Sequence, residues 1–301
     1  MTVAPDTGYR FVTARTVALL KDLELAARRI VEGSMLGRHR SRRAGAGLEF
    51  SQYRSYQPGD DLRRVDWKLY ARSDRHFVRE AESETSVVVR LVLDATGSMA
   101  HEEDGVSKFD YARFLAAALA LLAHRQGDAL GLSILRAGRV EAIHPRRDAP
   151  QLHRVLHALE RATPAGRWPT WDRIERALAL DPLPGLTLVI GDLRERDREI
   201  EAAARHLTGA RHEATLFEIL GRQEREFGYR GVVTIEDLET FERLDLDAAV
   251  VRETAIAGLA AERSALRARL EHRGAVVVAC PLDQPFEGPL RAYLTRRERL
   301  A

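Results

Sequence analysis

The strongest constraint on the fold is one apolar run, Val87-Val88-Val89-Arg90-Leu91-Val92-Leu93, that feeds without a break into Asp94, Thr96 and Ser98. A short, β-branched run ended by a glycine turn reads as a strand buried on both faces, the kind found in parallel sheets. In open α/β sheets, ligands sit at the carboxyl ends of such strands. The segment Asp94-Ala95-Thr96-Gly97-Ser98 therefore sets one carboxylate and two hydroxyls, at alternate positions, where a small charged ligand docks. A hard cation such as Mg²⁺ takes oxygen ligands of this type. The same groups also suit phosphoryl chemistry, or simple capping of the next helix.

From residue 86 onward the pattern alternates. Apolar runs at 86–94, 129–136, 186–193, 214–220 and 275–280 read as strands, and the stretches near 108–126, 149–162, 171–180, 196–208 and 253–273 as helices. This predicts an α/β fold with a mostly parallel sheet flanked by helices. Residues 15–33 read as a further helix, with Val17, Leu20, Leu23, Leu25 and Ile30 largely on one side. Residues 34–84 differ in character, being polar, rich in Arg, Gly and aromatics, and broken by the turn signal Pro58-Gly59-Asp60-Asp61. Short strands are expected there around 48–56 and 76–80. The chain thus divides into a helical segment (1–33), a small β-rich element (34–84) and an α/β domain (85–301).

Charge excludes several classes of partner. Lys and Arg number 47 against 45 Asp and Glu, a formal net charge of +2, so no global field recruits nucleic acid or a membrane surface. Only Lys21, Lys68 and Lys108 are lysines; the arginines read as a solvated, ion-paired surface. The single cysteine, Cys280, lies in an apolar run and fits a small buried residue in a reducing compartment. The first residues lack the layout of a signal peptide, and the apolar run Phe114 to Ala123 is too short to span a bilayer. A soluble, cytoplasmic protein without a membrane span is expected.

Two more residues belong with the first strand end. Asp192 closes the run Leu186–Gly191 in the same topological position as Asp94, and Thr170 precedes a helix in Arg167-Trp168-Pro169-Thr170-Trp171. A carboxylate buried without a cation or donor is costly, so two strand-end aspartates point to a ligand. One reading is an open, oxygen-rich cation site made by Asp94, Thr96, Ser98, Thr170 and Asp192. The other makes Asp94 a nucleophile. The string DATGS resembles the phosphorylation motif of P-type ATPases in the haloacid dehalogenase superfamily, and Gly191-Asp192 with Asp197 resembles that superfamily's acidic motif. A Mg²⁺-dependent phosphatase would follow. Its phosphate-binding lysine is missing from the usual place, since Lys108 lies far from the acidic motif in sequence.

The upstream segment GRHRSRRAGAGLEFSQYRSYQPGDDLRRVDWKLYAR, residues 37–72, bears on this choice. Its Glu49, Arg54, Tyr56, Gly59, Asp60, Arg63, Asp66 and Trp67 fall in the pattern of the bacterial family called domain of unknown function 58, which the chain resembles. The resemblance implies a von Willebrand factor A-like domain after this block, with a metal-ion-dependent adhesion site. Asp94, Thr96 and Ser98 match its first motif, Thr170 its middle threonine and Asp192 its last aspartate. Three departures stand out: Thr96 for a serine, Trp168-Pro169 for glycines, and Leu193 where many such domains have glycine. The implied cofactor is Mg²⁺, with Mn²⁺ or Ca²⁺ as substitutes. The implied function is that of a non-enzymatic adaptor working with a MoxR-type AAA+ ATPase and a client protein in chaperone-like maturation, and it takes Asp94 from nucleophile to cation contact.

Other motifs read as structure. His153 and His157 have the i, i+4 spacing of metal ligands, but Leu152, Val155, Leu156 and Leu159 form the apolar side of that helix and turn the pair to solvent. The basic run Arg38–Arg43 could touch phosphates, but it lies among the acidic residues of the family block and reads as their ion-pair partner or as a face that docks onto the α/β domain. No P-loop is present.

Overall fold

The computed structural model describes residues 22–39, 53–55, 70, 77–79, 87–177, 185–194, 199–208 and 212–300. They fall into two compact units: residues up to Gly37 with Ser86–Leu300, and a second within Arg38–Thr85.

The first unit is built on a six-stranded sheet. In chain order it contains α1 (Leu23–His39), then β3 (Val88–Asp94), and a short hairpin of β4 (Glu102–Glu103) and β5 (Val106–Ser107). There follow α2 (Lys108–Arg125), β6 (Ala129–Arg136), β7 (Arg139–Arg146), α3 (Pro150–Arg161), α4 (Trp171–Ala177), β8 (Gly185–Gly191) and α5 (Glu199–Leu207). The chain continues through β9 (His212–Leu220), α6 (Arg222–Glu226), the hairpin β10 (Val232–Glu236) and β11 (Arg243–Asp247), α7 (Ala248–His272), β12 (Val276–Pro281) and α8 (Glu287–Leu300). The sheet order is β12-β9-β8-β3-β6-β7, parallel throughout except for the edge strand β7. This is the mostly parallel, helix-flanked α/β architecture that the strand and helix pattern predicts.

Strand β3 lies in the middle of the sheet and is buried along its whole length. Its side chains alternate between two cores. Val89, Leu91 and Leu93 pack with the nearly all-buried helix α2, with α3 and with α1, whereas Val92 packs with residues of α4, α5 and α7 on the other face. Both faces are therefore covered, which is why the run in sequence shows no polar alternation. Helix α1 joins the first core through Leu23, Ala26, Ala27, Ile30 and Val31, an i, i+3, i+4, i+7, i+8 stripe. Leu25, placed on the apolar side by sequence reading, is instead 43% exposed.

The edge strand β7 was not foreseen. Its residues are mostly exposed, and its signal is the two-residue turn Ala137-Gly138, both with positive φ (46° and 68°), which suits a tight antiparallel hairpin. The hairpin β10–β11 and the helix α8 were also unforeseen. His153 and His157 face solvent and Cys280 is buried, as read from the sequence.

In the second unit, β1 (Tyr53–Ser55) pairs antiparallel with β2 (Phe77–Arg79), within the two strand ranges expected there. Arg54 stands opposite Val78 in this ladder. The other residues of the family block, Glu49, Tyr56, Gly59, Asp60, Arg63, Asp66 and Trp67, lie outside the described residues, as does Asp197.

Candidate functional site

The carboxyl ends of β3 and β8, neighbours in the sheet, bring Asp94 and Asp192 together. Gly191 lets them approach, since a Cβ there would lie 2.9 Å from Asp94 Oδ2. Both carboxylates are buried, Asp94 completely. The Thr96 N–H donates to Asp94 Oδ1 at 2.9 Å, and the Trp168 indole N–H to Oδ2 at 2.8 Å. The Thr96 and Ser98 hydroxyls lie 3.2 Å apart in the turn that follows. Burial, reinforced by the charge of Asp192, pushes Asp94 up to about 7 against the pull of the Thr96 and Trp168 hydrogen bonds.

Thr170 does not join them through any described contact. It is exposed, and its carbonyl accepts from the N–H groups of Arg173 and Ile174 at the start of α4. The loop before it is nonetheless laced to the site. Gly97 N–H donates to the Gly166 carbonyl (2.7 Å) and Ala165 N–H to the Ala95 carbonyl (2.8 Å), which fixes Trp168 against Asp94. The residue that departs from the adhesion-site pattern thus makes the contact, and the residue that matches it does not. Leu193 shows the physical meaning of another departure. Its φ is +52°, a left-handed conformation natural to glycine, and burial of its side chain holds it there.

Sequence reasoning missed Glu224 and Arg194 and set Lys108 aside for its distance in sequence from Asp192; the fold brings all three to the site. Lys108, at the start of α2, is 2% exposed and donates to Asp192 Oδ2 (3.3 Å) and to Glu224 Oε1 (2.6 Å). An ammonium at a helix N-terminus opposes the helix dipole, so these carboxylates are needed to hold it. Glu224, in α6, also accepts from Arg194 (3.2 Å) and from the Gly221 N–H (2.9 Å). Burial raises its pKa, but Lys108 and Arg194 outweigh that and hold it below the usual range. The contacts span 84 and 116 residues of sequence, which leaves no local signal.

The cluster sets the carboxylates Asp94, Asp192 and Glu224 against the cations Lys108 and Arg194. Lys108 and Arg194 pair with Asp192 and Glu224, whereas Asp94 is met by neutral N–H donors and burial favours its protonated form. The oxygens of Asp94, Thr96, Ser98 and Asp192 are donors of the type a hard divalent cation takes.

The mostly parallel sheet with helices on both faces is a von Willebrand factor A-like α/β fold. The chain belongs to the family described as "Protein of unknown function DUF58", whose profile matches residues 52–265. Its curated relatives include the uncharacterized proteins Rv1480 of Mycobacterium tuberculosis and Mb1516 of Mycobacterium bovis. Each is 27% identical over 95% of this chain and 90% of its own length. Similar solved structures include BatB of Bacteroides thetaiotaomicron (13% identity, 71% of this chain and all of that one, TM-score 0.45). Another is the SpRpn10 VWA domain (11% identity, 68% and 93%, TM-score 0.38).

Proposed function

We propose that the chain is a non-enzymatic, cytoplasmic interaction module that binds a partner's carboxylate through a divalent cation held by Asp94, Thr96, Ser98 and Asp192. The observation that carries this reading is the meeting of two buried strand-end carboxylates, Asp94 and Asp192, with the Thr96 and Ser98 hydroxyls in the turn that follows β3. Bound there, Mg²⁺ (or Mn²⁺ or Ca²⁺) would supply an electrophilic centre with room for one more oxygen ligand, and few protein charges would quench it. This chain's residues hold and orient it: Trp168 and the Thr96 N–H fix the Asp94 carboxylate, and Lys108 fixes Asp192. The partner class, a MoxR-type AAA+ ATPase with its client in chaperone-like maturation, rests on the family resemblance. Among the described residues no helix is long and apolar enough to cross a membrane, which is compatible with such a role.

Calorimetric titration with Mg²⁺ and Mn²⁺ tests the site directly. Binding to the wild type and at least tenfold weaker binding to Ser98→Ala and Asp94→Asn are expected. Capture of the ATPase should then depend on the cation and be lost on chelation. Capture indifferent to both Mg²⁺ and Ser98→Ala would overturn the cation bridge. Turnover of a phosphate ester with Mg²⁺, abolished by Asp94→Asn, would overturn the non-enzymatic role.

A further inference from the structure

We propose that the β10–β11 hairpin is a resident occupant of the strand-end site, and that its turn Asp237-Leu238-Glu239 stands in for the partner segment that docks there. That segment then shares its chemistry: an acidic turn with carboxylates flanking a leucine-like side chain. The inference deepens the interaction reading above and rests on it.

Gly97 supplies the first observation. It is not among the glycines with positive φ, so conformational freedom does not explain it. Space does. A Cβ at Gly97 would collide with the Leu238 carbonyl oxygen and lie 3.4 Å from Glu239 Cα. The residue between the two site hydroxyls is thus shaped by the hairpin turn lying on it.

The second observation is the cavity beneath the turn, about 510 Å³. Ser98, Lys108 and Asp192 line it together with Phe227, Leu238 and Glu239. Polar groups of the site and apolar walls are what a carboxylate beside a leucine requires. A bound divalent cation would add the positive charge that an acidic turn complements.

The third is how lightly the hairpin is rooted. None of its residues from 232 to 247 is fully buried: the turn at 236–240 is half-buried, and Val232, Phe241 and Leu244 are 78%, 71% and 63% exposed. It leaves the body at Gly231, with φ +70°, and returns at Ala248, whose N–H donates to the Gly231 carbonyl at 2.9 Å. Elements with few buried contacts open at low free-energy cost. A tethered turn nevertheless acts at an effective concentration of about millimolar, so it excludes weak external segments until a better one displaces it.

The test removes the turn and offers it back. Replacing residues 237–242 by Asn-Gly closes β10 on β11 just after the Glu236–Arg243 pair with a two-residue turn. The probe is a synthetic peptide of residues 234–244, followed by fluorescence anisotropy in Mg²⁺. It should bind the shortened chain at least tenfold more tightly than the intact one. Asp237→Ala is a milder second variant at full loop length. It removes the carboxylate that accepts from the Glu239 and Thr240 N–H groups and shapes the turn, and it should strengthen peptide binding severalfold. Equal affinity for all three chains, or no binding to any, would overturn the proposal. Tighter binding to the shortened chain that persists unchanged after chelation would leave the resident turn standing and remove the cation bridge.

Discussion

The strand end at 91–99 and the hairpin at 232–247 border one cavity, yet they are made in opposite ways. The strand end is a continuation of the sheet's most buried strand, and its carboxylate is held by the Trp168 indole and the Thr96 N–H. The hairpin carries no fully buried residue and leaves Val232, Phe241 and Leu244 largely in solvent. The difference separates what a site must hold still from what it must be able to exchange. Carboxylates held within half an ångström need packing on every side, whereas a segment that trades places with a partner needs the opposite.

Perturbing the rigid side should give the largest effects. Lys108→Met keeps the packing of the side-chain stem but leaves Asp192 buried without its ammonium partner. Removing one member of a buried pair costs about 3–5 kcal/mol, and denaturant unfolding should show a loss of that order. Adding Asp192→Asn should restore part of it, because the second change removes the stranded charge. No recovery would mean that Lys108 acts mainly through Glu224. Next comes Leu91→Ala. Leu91 is fully buried in the core formed with α2, and truncation of such a side chain costs about 2–5 kcal/mol.

Asp94 yields a pH dependence whose sign follows from its raised pKa. Between the ordinary carboxylate value and about 7, the folded chain holds a proton that the unfolded chain has released. In cation-free buffer the stability contributed at Asp94 is therefore full at low pH and is lost as pH rises through about 7. Asp94→Asn should flatten that fall, and the difference between the two stability profiles isolates Asp94 from Glu218, which burial also raises. Mg²⁺ should oppose the fall toward pH 7 in the wild type only. A wild-type profile that coincides with that of Asp94→Asn from pH 4 to 8 would mean that the fold does not hold Asp94 in its protonated form.

The same contrast decides what could be read in advance. Strands β3, β6 and β8 were legible because burial on both faces leaves a nearly unbroken apolar run, β9 and β12 from shorter apolar runs, and the two aspartates because they end the runs of β3 and β8. Trp168 was legible only as a departure from a pattern, because its meaning depends on backbone bonds from the 165–166 backbone to the Asp94 turn. Thr170 was placed in the site by motif alone, and the chain turns it outward two residues later. The pairing of Lys108 with Glu224 gave no signal, since an ion pair formed across 116 residues leaves no spacing to find. The hairpin was illegible for a different reason. With nothing fully buried, its alternation serves no core, and hydrophobic periodicity reports only on burial.

The smallest effect is the sharpest test of the comparison. Leu244 faces Ile235 across the β10–β11 ladder and is 63% exposed. Substitutions at exposed positions usually change stability by no more than about 0.5 kcal/mol, so Leu244→Ala should leave global unfolding almost unmoved. Its consequence should be local: loss of the cross-strand pair loosens the hairpin, and amide exchange should quicken over 232–247 while β3 and β8 keep their protection. If Leu244→Ala instead lowers global stability as much as Leu91→Ala does, the hairpin is rooted in the fold. It could not then yield its place to a partner, and the contrast between a fixed floor and an exchangeable cover would fail.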